Sequence, residues 1–514
     1  MQAIILAAGM GTRIPQYTQD MPKCMIQING KPMLEHTVNA LREAGVKRIA
    51  IGLGYKAHVI RDFIARTFGS DGDLSFEYVE NPVYAETNNI YSLFLMKDIF
   101  ARDDTLLLES DLIYDKAIIR ELLALPAENA AVLSPFESWM DGSCCLLDKD
   151  GFITGMVGKK EFRYEDASGY YKTVNIWKFS KNFITSMYLP FLSYYISSYG
   201  RNEYYETVLK IIAGNIPTIL GSLVVAENRW YEVDDIGDLS VAEKRFSPRE
   251  DRYTLLMQEA GGSWRFPGMA DFTVDANPFF PSDRLFSELR YALASCIRCR
   301  PSSSGELDVL AAKLLSTDES RVCVLSESSP LPDDAHDASY EDFSSLSGQL
   351  LSRLHVIDLG KRFGVPGLSM RILFSDDPAL IRPFKGKGRV SSLGEYFMQA
   401  VGKYKKDYAA STAAFQEECV RMQDALAGLP QVRLKRPSFN RFLLNLDAAP
   451  SEEAARNLAA RLLDERQLLV SVIRDDSGRG QLSIFVRDRA SNDRLLAALT
   501  ACLNPEPGTV ETEA

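Results

Sequence analysis

Cysteine and histidine are scarce in this chain. Eight cysteines are spread over 514 residues, and the two close groupings, Cys144 with Cys145 and Cys296 with Cys299, make no disulfide framework. Cys296 and Cys299 read C-x-x-C, but no second pair stands at zinc spacing, so reduced thiols are expected. The four histidines, His36, His58, His336 and His355, form no metal-binding cluster. No apolar run approaches the length of a membrane span. The N-terminal MQAIILAAGMGTR has too short an apolar stretch and no basic flank for a signal peptide. Positive charge is not in excess either: 58 Lys and Arg stand against 69 Asp and Glu, a net charge of −11. That field does not favour duplex nucleic acid, although a local basic pocket for one nucleotide is compatible with it. The expectation is a cytoplasmic protein with neither a membrane nor a nucleic-acid partner.

What is present is ordinary globular composition, 46% hydrophobic and 25% charged, on a chain too long for one domain at roughly 150 residues each. In the first 250 residues short apolar runs alternate with helical periods. AIILAA (3–8) reads as a buried strand, and KPMLEHTVNALREAG as a helix with Met33, Leu34, Val38 and Leu41 on one face. RIAIGLG (48–54) is a second strand, a helix follows near 57–68, FEYVEN (76–81) precedes a helix from about Asn89, and TLLLES (105–110) runs into Asp111. Strand, helix, strand at this spacing implies parallel pairing and a doubly wound, Rossmann-like α/β sheet. Ligands of such sheets lie at the C-terminal strand ends.

Residues 6–13, LAAGMGTR, follow the first strand directly, and Pro22-Lys23 comes ten residues on. Gly9 and Gly11 permit a sharp turn whose N–H groups cradle phosphate oxygens, with Leu6, Ala7, Ala8 and Thr12 completing the loop. Arg13 and Lys23 add positive charge where a triphosphate would lie.

LAAGMGTR with PK resembles the signature of nucleotidyltransferases that join a nucleoside triphosphate to a sugar phosphate or an alcohol phosphate. More narrowly, ENPVYAETNNIYSLFLMKD, LLLESDLIYD and RWYEVDDIGDL resemble the bacterial CTP:phosphocholine cytidylyltransferases and their relatives acting on 2-aminoethylphosphonate. Sugar nucleotidyltransferases usually lack NNIYSL there. The resemblance spans about 245 residues and implies roles. Arg13 and Lys23 would be catalytic; Asn88, Asn89 and Tyr91 would line the nucleotide and acceptor cleft; Asp111 and Asp234 would hold Mg2+, a hard ion that takes oxygen ligands. For the acceptor, an amine or quaternary ammonium wants aromatic faces and a carboxylate. The candidates are Trp139 and Asp141 in FESWMDGS, Tyr204, Tyr205 and Glu206 in RNEYYETVL, with Lys159, Lys160 and Asn175 for its anionic end. The reaction implied is transfer of CMP from CTP to 2-aminoethylphosphonate, or in the alternative to phosphocholine, with release of pyrophosphate.

Residues 249–280 read as a linker and the start of a second domain. From 281 to 503 a second α/β pattern follows, with a helix at 282–298, strands near 321–325, 354–358 and 369–374, long helices from 391 to about 428, a helix at 451–466, and strands QLLVSVI and QLSIFVR. Residues 504–514 read as a disordered tail. This half resembles the class I/II aminotransferases, which use pyridoxal phosphate (PLP). DANPFFPSDRL and HVIDLGKRFGVPGLSMRI carry the resemblance, and it puts Lys361 in the place of the Schiff-base lysine, Asp337 opposite the pyridine nitrogen and Tyr340 opposite the phenol oxygen. RVCVLSESS runs almost straight into DASY, without the segment that supplies the phosphate cradle. Gly360 replaces a serine, and Ser369 and Ser483 replace arginines. The expected second domain is therefore a truncated PLP-transferase-like unit with lost activity, able to mediate a homodimer; an active aminotransferase or decarboxylase is the alternative of another class.

Overall fold

The computed structural model describes residues 1–503 apart from 71, 217, 260, 342–352 and 448; the tail expected at 504–514 lies outside the described residues. The chain forms two compact units, Met1–Gly268 and Met269–Ala514. The stretch read as a linker is thus divided. Arg249–Gln258 is a helix within the first unit, and its Tyr253 and Leu256 are buried.

In the first unit β1 (Gln2–Ala7) is followed by α1 (Met33–Glu43), β2 (Arg48–Leu53), α2 (Ala57–Phe68), β3 (Ser75–Glu80), α3 (Asn89–Leu95), β4 (Thr105–Glu109) and β5 (Leu112–Tyr114). All six residues of β1 are buried, as expected of a central parallel strand covered on both faces. β2 and β4 flank β1, both parallel to it, and β3 lies outside β2. The crossovers that parallel pairing requires are supplied by the helices between these strands.

The nine-stranded sheet is completed by β6 (Ala130–Pro135), β7 (Cys144–Leu147), β8 (Ile153–Val157), β9 (Tyr171–Phe179) and β10 (Gly221–Val224). β9 runs antiparallel to β4 and to β6. Its register against β6 shifts between Thr173 and Trp177, where Asn175 takes a left-handed φ of 59°. A bulge of this kind re-aims side chains, and here it faces the cleft described below. One core lies on each side of the sheet: Leu34, Val38, Leu41 and Ile60 pack on one face, Ile90, Leu93, Phe100 and Trp177 on the other.

The same unit contains α4 (Glu206–Asn215), β11 (Trp230–Glu232) and α5 (Ile236–Phe246). β11 pairs antiparallel with β5.

The second unit is also α/β, with two four-stranded sheets and one two-stranded pairing among the described residues. β12 (Val322–Ser326), β13 (His336–Asp337), β14 (His355–Asp358) and β15 (Met370–Phe374) form one, in the order β12-β15-β14-β13. α6 (Leu359–Phe363) follows β14 directly. β16 (Val432–Lys435), β17 (Arg441–Leu446), β18 (Ser471–Arg474) and β19 (Gly480–Phe485) form the other, in the order β16-β17-β19-β18. The run QLLVSVI, expected as one strand, is two: Leu468–Leu469 pairs with Ala270–Asp271, whereas β18 pairs with β19. The change of partner at Val470 breaks it.

Among the described residues no helix is long and apolar enough to cross a membrane. All eight cysteines are free, and no group of three or more His, Cys, Asp or Glu suited to a metal occurs among the described residues.

Candidate active site

The sheet topology brings the sequence motifs together. β1 and β4 are neighbours, with Leu6 opposite Glu109, so the glycine loop after β1 and Ser110-Asp111 after β4 emerge side by side. This is where the strand order changes direction, the position at which such sheets open a crevice. β5 and β11 then draw in the last acid: Glu232 pairs with Leu112, the Val233 N–H donates to the Asp111 carbonyl at 3.0 Å, and Asp234 follows.

A cleft of about 760 Å³ opens there. Leu6, Ala7, Ala8, Gly9, Gly11 and Thr12 line it. Gly11 has a φ of +64°, and a Cβ on it would stand 2.7 Å from Thr18 Cγ2, so both backbone and space demand glycine. The Thr18 hydroxyl donates to the Gly11 carbonyl at 2.9 Å and fixes the turn.

The four charged residues expected here form one network. Lys23 Nζ donates to Asp111 Oδ2 and to Asp234 Oδ1, each at 2.7 Å, and Arg13 Nη1 lies 2.7 Å from Asp234 Oδ2. Burial alone would lower the Lys23 pKa, but Asp111 and Asp234 raise it well above the usual lysine value. For Asp234 the opposing effect of burial is overcome by Lys23 and Arg13, which hold its pKa low. Asp111 Oδ1 is buried and has no partner among the described residues. A buried oxygen without a partner is costly, and two carboxylates with a spare oxygen fit a hard cation that keeps most of its ligands as water and substrate oxygens.

The acidic run around Asp234 divides by role, with only Asp235 of its acids exposed. Asp235 caps α5, accepting from the N–H groups of Gly237 and Asp238, and Asp238 accepts in return from the Asp235 N–H. Glu232 and Asp234 are left to face the cleft.

Away from the glycine loop the cleft is walled by half-buried carboxylates. Glu206 begins α4 and accepts from Ser143 Oγ at 3.2 Å and Thr173 Oγ1 at 3.0 Å. Glu232 Oε2 lies 3.2 Å from Lys172 Nζ, and Asn175 Nδ2 reaches Glu232 Oε1 at 3.5 Å. Glu109 accepts from Asn89 Nδ2 at 2.7 Å. Burial pushes all three carboxyls up. Asp111, Glu206 and Glu232 push Glu109 further still, Lys172 and two hydroxyls restrain the Glu206 shift, and Glu232 is raised to about 7. Such a wall favours a cation in water-poor surroundings.

The remaining expectations divide. Asn88, Asp141, Lys160, Asn175, Tyr204 and Glu206 line the cleft. Asp141 also accepts from Lys159 Nζ at 2.7 Å, which makes a rim ion pair of two residues expected to act separately. Asn89 lines the cleft too, with its amide engaged on both sides: besides donating to Glu109, it accepts from the Tyr205 N–H at 2.9 Å. Three aromatic expectations are corrected. Trp139 stacks on Tyr231 with ring centroids 4.2 Å apart and packs against Trp230; its apolar bulk serves the core. Tyr91 stacks on Phe94 under the Arg201 guanidinium, 5.2 Å from its ring. Tyr205 is fully buried. None of the three lines the cleft.

Sequence reasoning missed Glu109, Glu232 and Lys172 as cleft residues. Glu109 and Glu232 each precede an expected metal ligand by two residues, the strand period that keeps side chains on one face, so that signal was available. Lys172 gave none; only the burial of β9 reveals it.

In the second unit Lys361 Nζ lies 3.0 Å from Asp275 Oδ2 and 3.0 Å from Asp337 Oδ2. Against the effect of burial, the two aspartates raise its pKa. The Tyr340 hydroxyl donates to Asp275 Oδ1 at 2.7 Å, and Asn440 Nδ2 donates to the same oxygen at 2.9 Å. Ser339 N–H and hydroxyl both serve Asp337 Oδ1. Between β12 and β13 residues 327–335 form no helix or strand. These residues do not fit pyridoxal phosphate: the amine is committed to two carboxylates, Asp337 and Tyr340 are engaged in the same network, and among the described residues no helix begins between β12 and β13 to receive a phosphate.

Residues 3–151 match the MobA-like NTP transferase domain. The full length of the chain is similar to CMP-5'-(3-aminopropyl)phosphonate synthase of Streptomyces rubellomurinus, 23% identical over 617 aligned positions that cover 100% of this chain and 97% of that protein. CTP:phosphoglutamine cytidylyltransferase of Campylobacter jejuni is 26% identical over 47% of this chain and 98% of its own length. 2-Aminoethylphosphonate cytidylyltransferase of Lancefieldella rimae is 38% identical over 111 residues, 22% of this chain and 43% of that protein. Residues 3–151 therefore carry an NTP transferase domain, in an enzyme whose relatives include cytidylyltransferases.

Proposed function

We propose that the protein is a magnesium-dependent cytidylyltransferase that transfers CMP from CTP to the phosphonate of a short aminoalkylphosphonate, with 2-aminoethylphosphonate as the first acceptor to test. The observation that carries the reading is the polarity of one cleft: Arg13, Lys23, Asp111 and Asp234 gather beside the glycine loop, and half-buried Glu109, Glu206 and Glu232 lie beyond them. An acceptor with an anionic phosphonate at one end and an ammonium at the other matches both ends. The names of the Streptomyces and Lancefieldella relatives, which specify aminopropyl- and aminoethylphosphonate, support that class.

In this reading an acceptor phosphonate oxygen attacks the α-phosphorus of CTP, a new P–O–P bond forms, and the bond to the β,γ-pyrophosphate breaks with its electron pair leaving on pyrophosphate. No side-chain nucleophile is needed. The loop N–H groups bind the triphosphate. Arg13 and Lys23 neutralise charge that grows on the non-bridging and leaving oxygens, the kind of preorganised stabilisation that dominates phosphoryl and nucleotidyl transfer. Asp111 and Asp234 would hold magnesium, which supplies further charge neutralisation when bound. The glutamates orient the acceptor through its ammonium.

The test is pyrophosphate release from CTP with 2-aminoethylphosphonate or its 3-aminopropyl homologue, with Asp111→Ala as control. The reading expects release with both acceptors that disappears in the variant. Full activity in the variant would remove the metal assignment, and release with phosphocholine alone would replace the acceptor.

A further inference from the structure

The cleft wall contains a cation that the reaction does not use. Lys172, on β9, lines the cleft, yet its side chain is only 2% exposed. Its stem passes close over Gly142, where a Cβ would stand 3.3 Å from Lys172 Cε. Its Nζ donates to the Thr173 carbonyl at 2.6 Å and faces Glu232 at 3.2 Å. It is therefore not free to swing toward a phosphonate, unlike exposed Lys160 on the rim. A buried ammonium is expensive unless its surroundings need the charge, and here Glu232 and Glu206 both act on one lysine, with Glu109 a third carboxylate of the same wall.

Those carboxylates are served unequally. Glu232 has Lys172. Glu206 has two neutral hydroxyls and shares the field of Lys172. Glu109 has the neutral amide of Asn89, and among the described residues no cation forms an ion pair with it. One positive charge is built in, and an incoming one has Glu109 to meet.

We propose that Lys172 is a specificity-determining residue: as a built-in counter-charge to Glu232 it limits the acceptor end of the cleft to a molecule with a single ammonium group. This rests on the proposed cytidylyl transfer and goes beyond it, because it assigns the charge of the acceptor to a residue that touches neither nucleotide nor phosphonate. An acceptor with two ammonium groups meets the field of Lys172 and is rejected.

The test compares 2-aminoethylphosphonate, with one amine, and 2,3-diaminopropylphosphonate, with two, by pyrophosphate release in wild type, Lys172→Met, Glu232→Gln and the double variant, with melting temperatures recorded. Wild type should prefer the monoamine. Lys172→Met should shift the ratio of kcat/KM values toward the diamine by at least about tenfold, a modest share of one charge at short range in a partly screened site, and the shift should lie in KM. The double variant, which loses one charge of each sign, should return to the wild-type ratio. Glu232→Gln alone should move the ratio the other way, and it decides the matter if Lys172→Met does not fold. A folded Lys172→Met with the wild-type ratio, or Glu232→Gln with no change of ratio, overturns the inference while leaving cytidylyl transfer intact. Failure of the wild type to use any ammonium-bearing acceptor, with turnover of a sugar phosphate instead, overturns both.

Discussion

Each unit of the chain sets one lysine between two aspartates. Lys23 stands 2.7 Å from Asp111 and 2.7 Å from Asp234; Lys361 stands 3.0 Å from Asp275 and 3.0 Å from Asp337. The surroundings differ. The first triad opens on a cleft with a glycine loop and leaves Asp111 Oδ1 buried without a partner among the described residues. In the second, Tyr340, Asn440 and Ser339 fill the remaining oxygens of the aspartates. A lysine between carboxylates is thus not in itself a site. What distinguishes a working constellation is unspent donor capacity facing a space large enough for a ligand.

The comparison can be broken at the strongest point of the first triad. Asp111→Asn should lower kcat for pyrophosphate release by about 10³-fold, the order seen when a principal charge-stabilising group is lost, whereas Asp275→Asn should leave it unchanged. Equal losses in the two variants would erase the distinction between the units. Next in size, Lys23→Met should cost about 10²-fold in kcat and Lys361→Met nothing, measured in the same assay at saturating CTP.

A smaller effect is expected at the loop. Gly11→Ala introduces a Cβ at a φ of +64°, 2.7 Å from Thr18 Cγ2. The left-handed conformation alone costs roughly 1–2 kcal/mol, so the loop should reshape, and the KM for CTP should rise with little change in melting temperature. An unchanged KM would show that the loop does not bind the triphosphate in this form.

The smallest effect belongs to the second unit. The Asp337 carboxyl is held below its ordinary value: hydrogen bonds from Ser339 and then the charge of Lys361 outweigh burial, which alone would raise it. A depressed carboxyl contributes stability above its unfolded pKa, and that contribution is lost as pH falls through the folded value. Lys361→Met removes part of the depression, so acid unfolding should begin at higher pH than in wild type, read by circular dichroism between pH about 5 and about 3. Incubation of the wild type with excess pyridoxal phosphate should give no absorbance band that depends on Lys361.

The strands and helices of the first unit were legible because hydrophobic period and length agree there: a fully apolar β1, an amphipathic α1 and a short apolar β4 each allow one reading. The loop, Lys23, Asp111 and Asp234 were legible because a strand, two glycines and an acid at a strand end constrain one another. The amine-facing wall was only partly legible. Trp139 and Tyr205 are aromatic residues beside charged ones, and sequence cannot tell a ring that packs inward from one that lines a cleft; the core took both. Lys172 was hidden for the opposite reason, since lysine in a strand usually signals an exposed face. In the second unit QLLVSVI has the composition of a single strand, and only the change of pairing partner at Val470 divides it.

The most direct test of the account is a matrix of pyrophosphate release: CTP, UTP, ATP and GTP against 2-aminoethylphosphonate, 3-aminopropylphosphonate, phosphocholine, phosphoethanolamine and glucose 1-phosphate. The account predicts turnover with CTP and the two aminoalkylphosphonates above all other combinations. Turnover confined to glucose 1-phosphate, with any nucleotide, would contradict it.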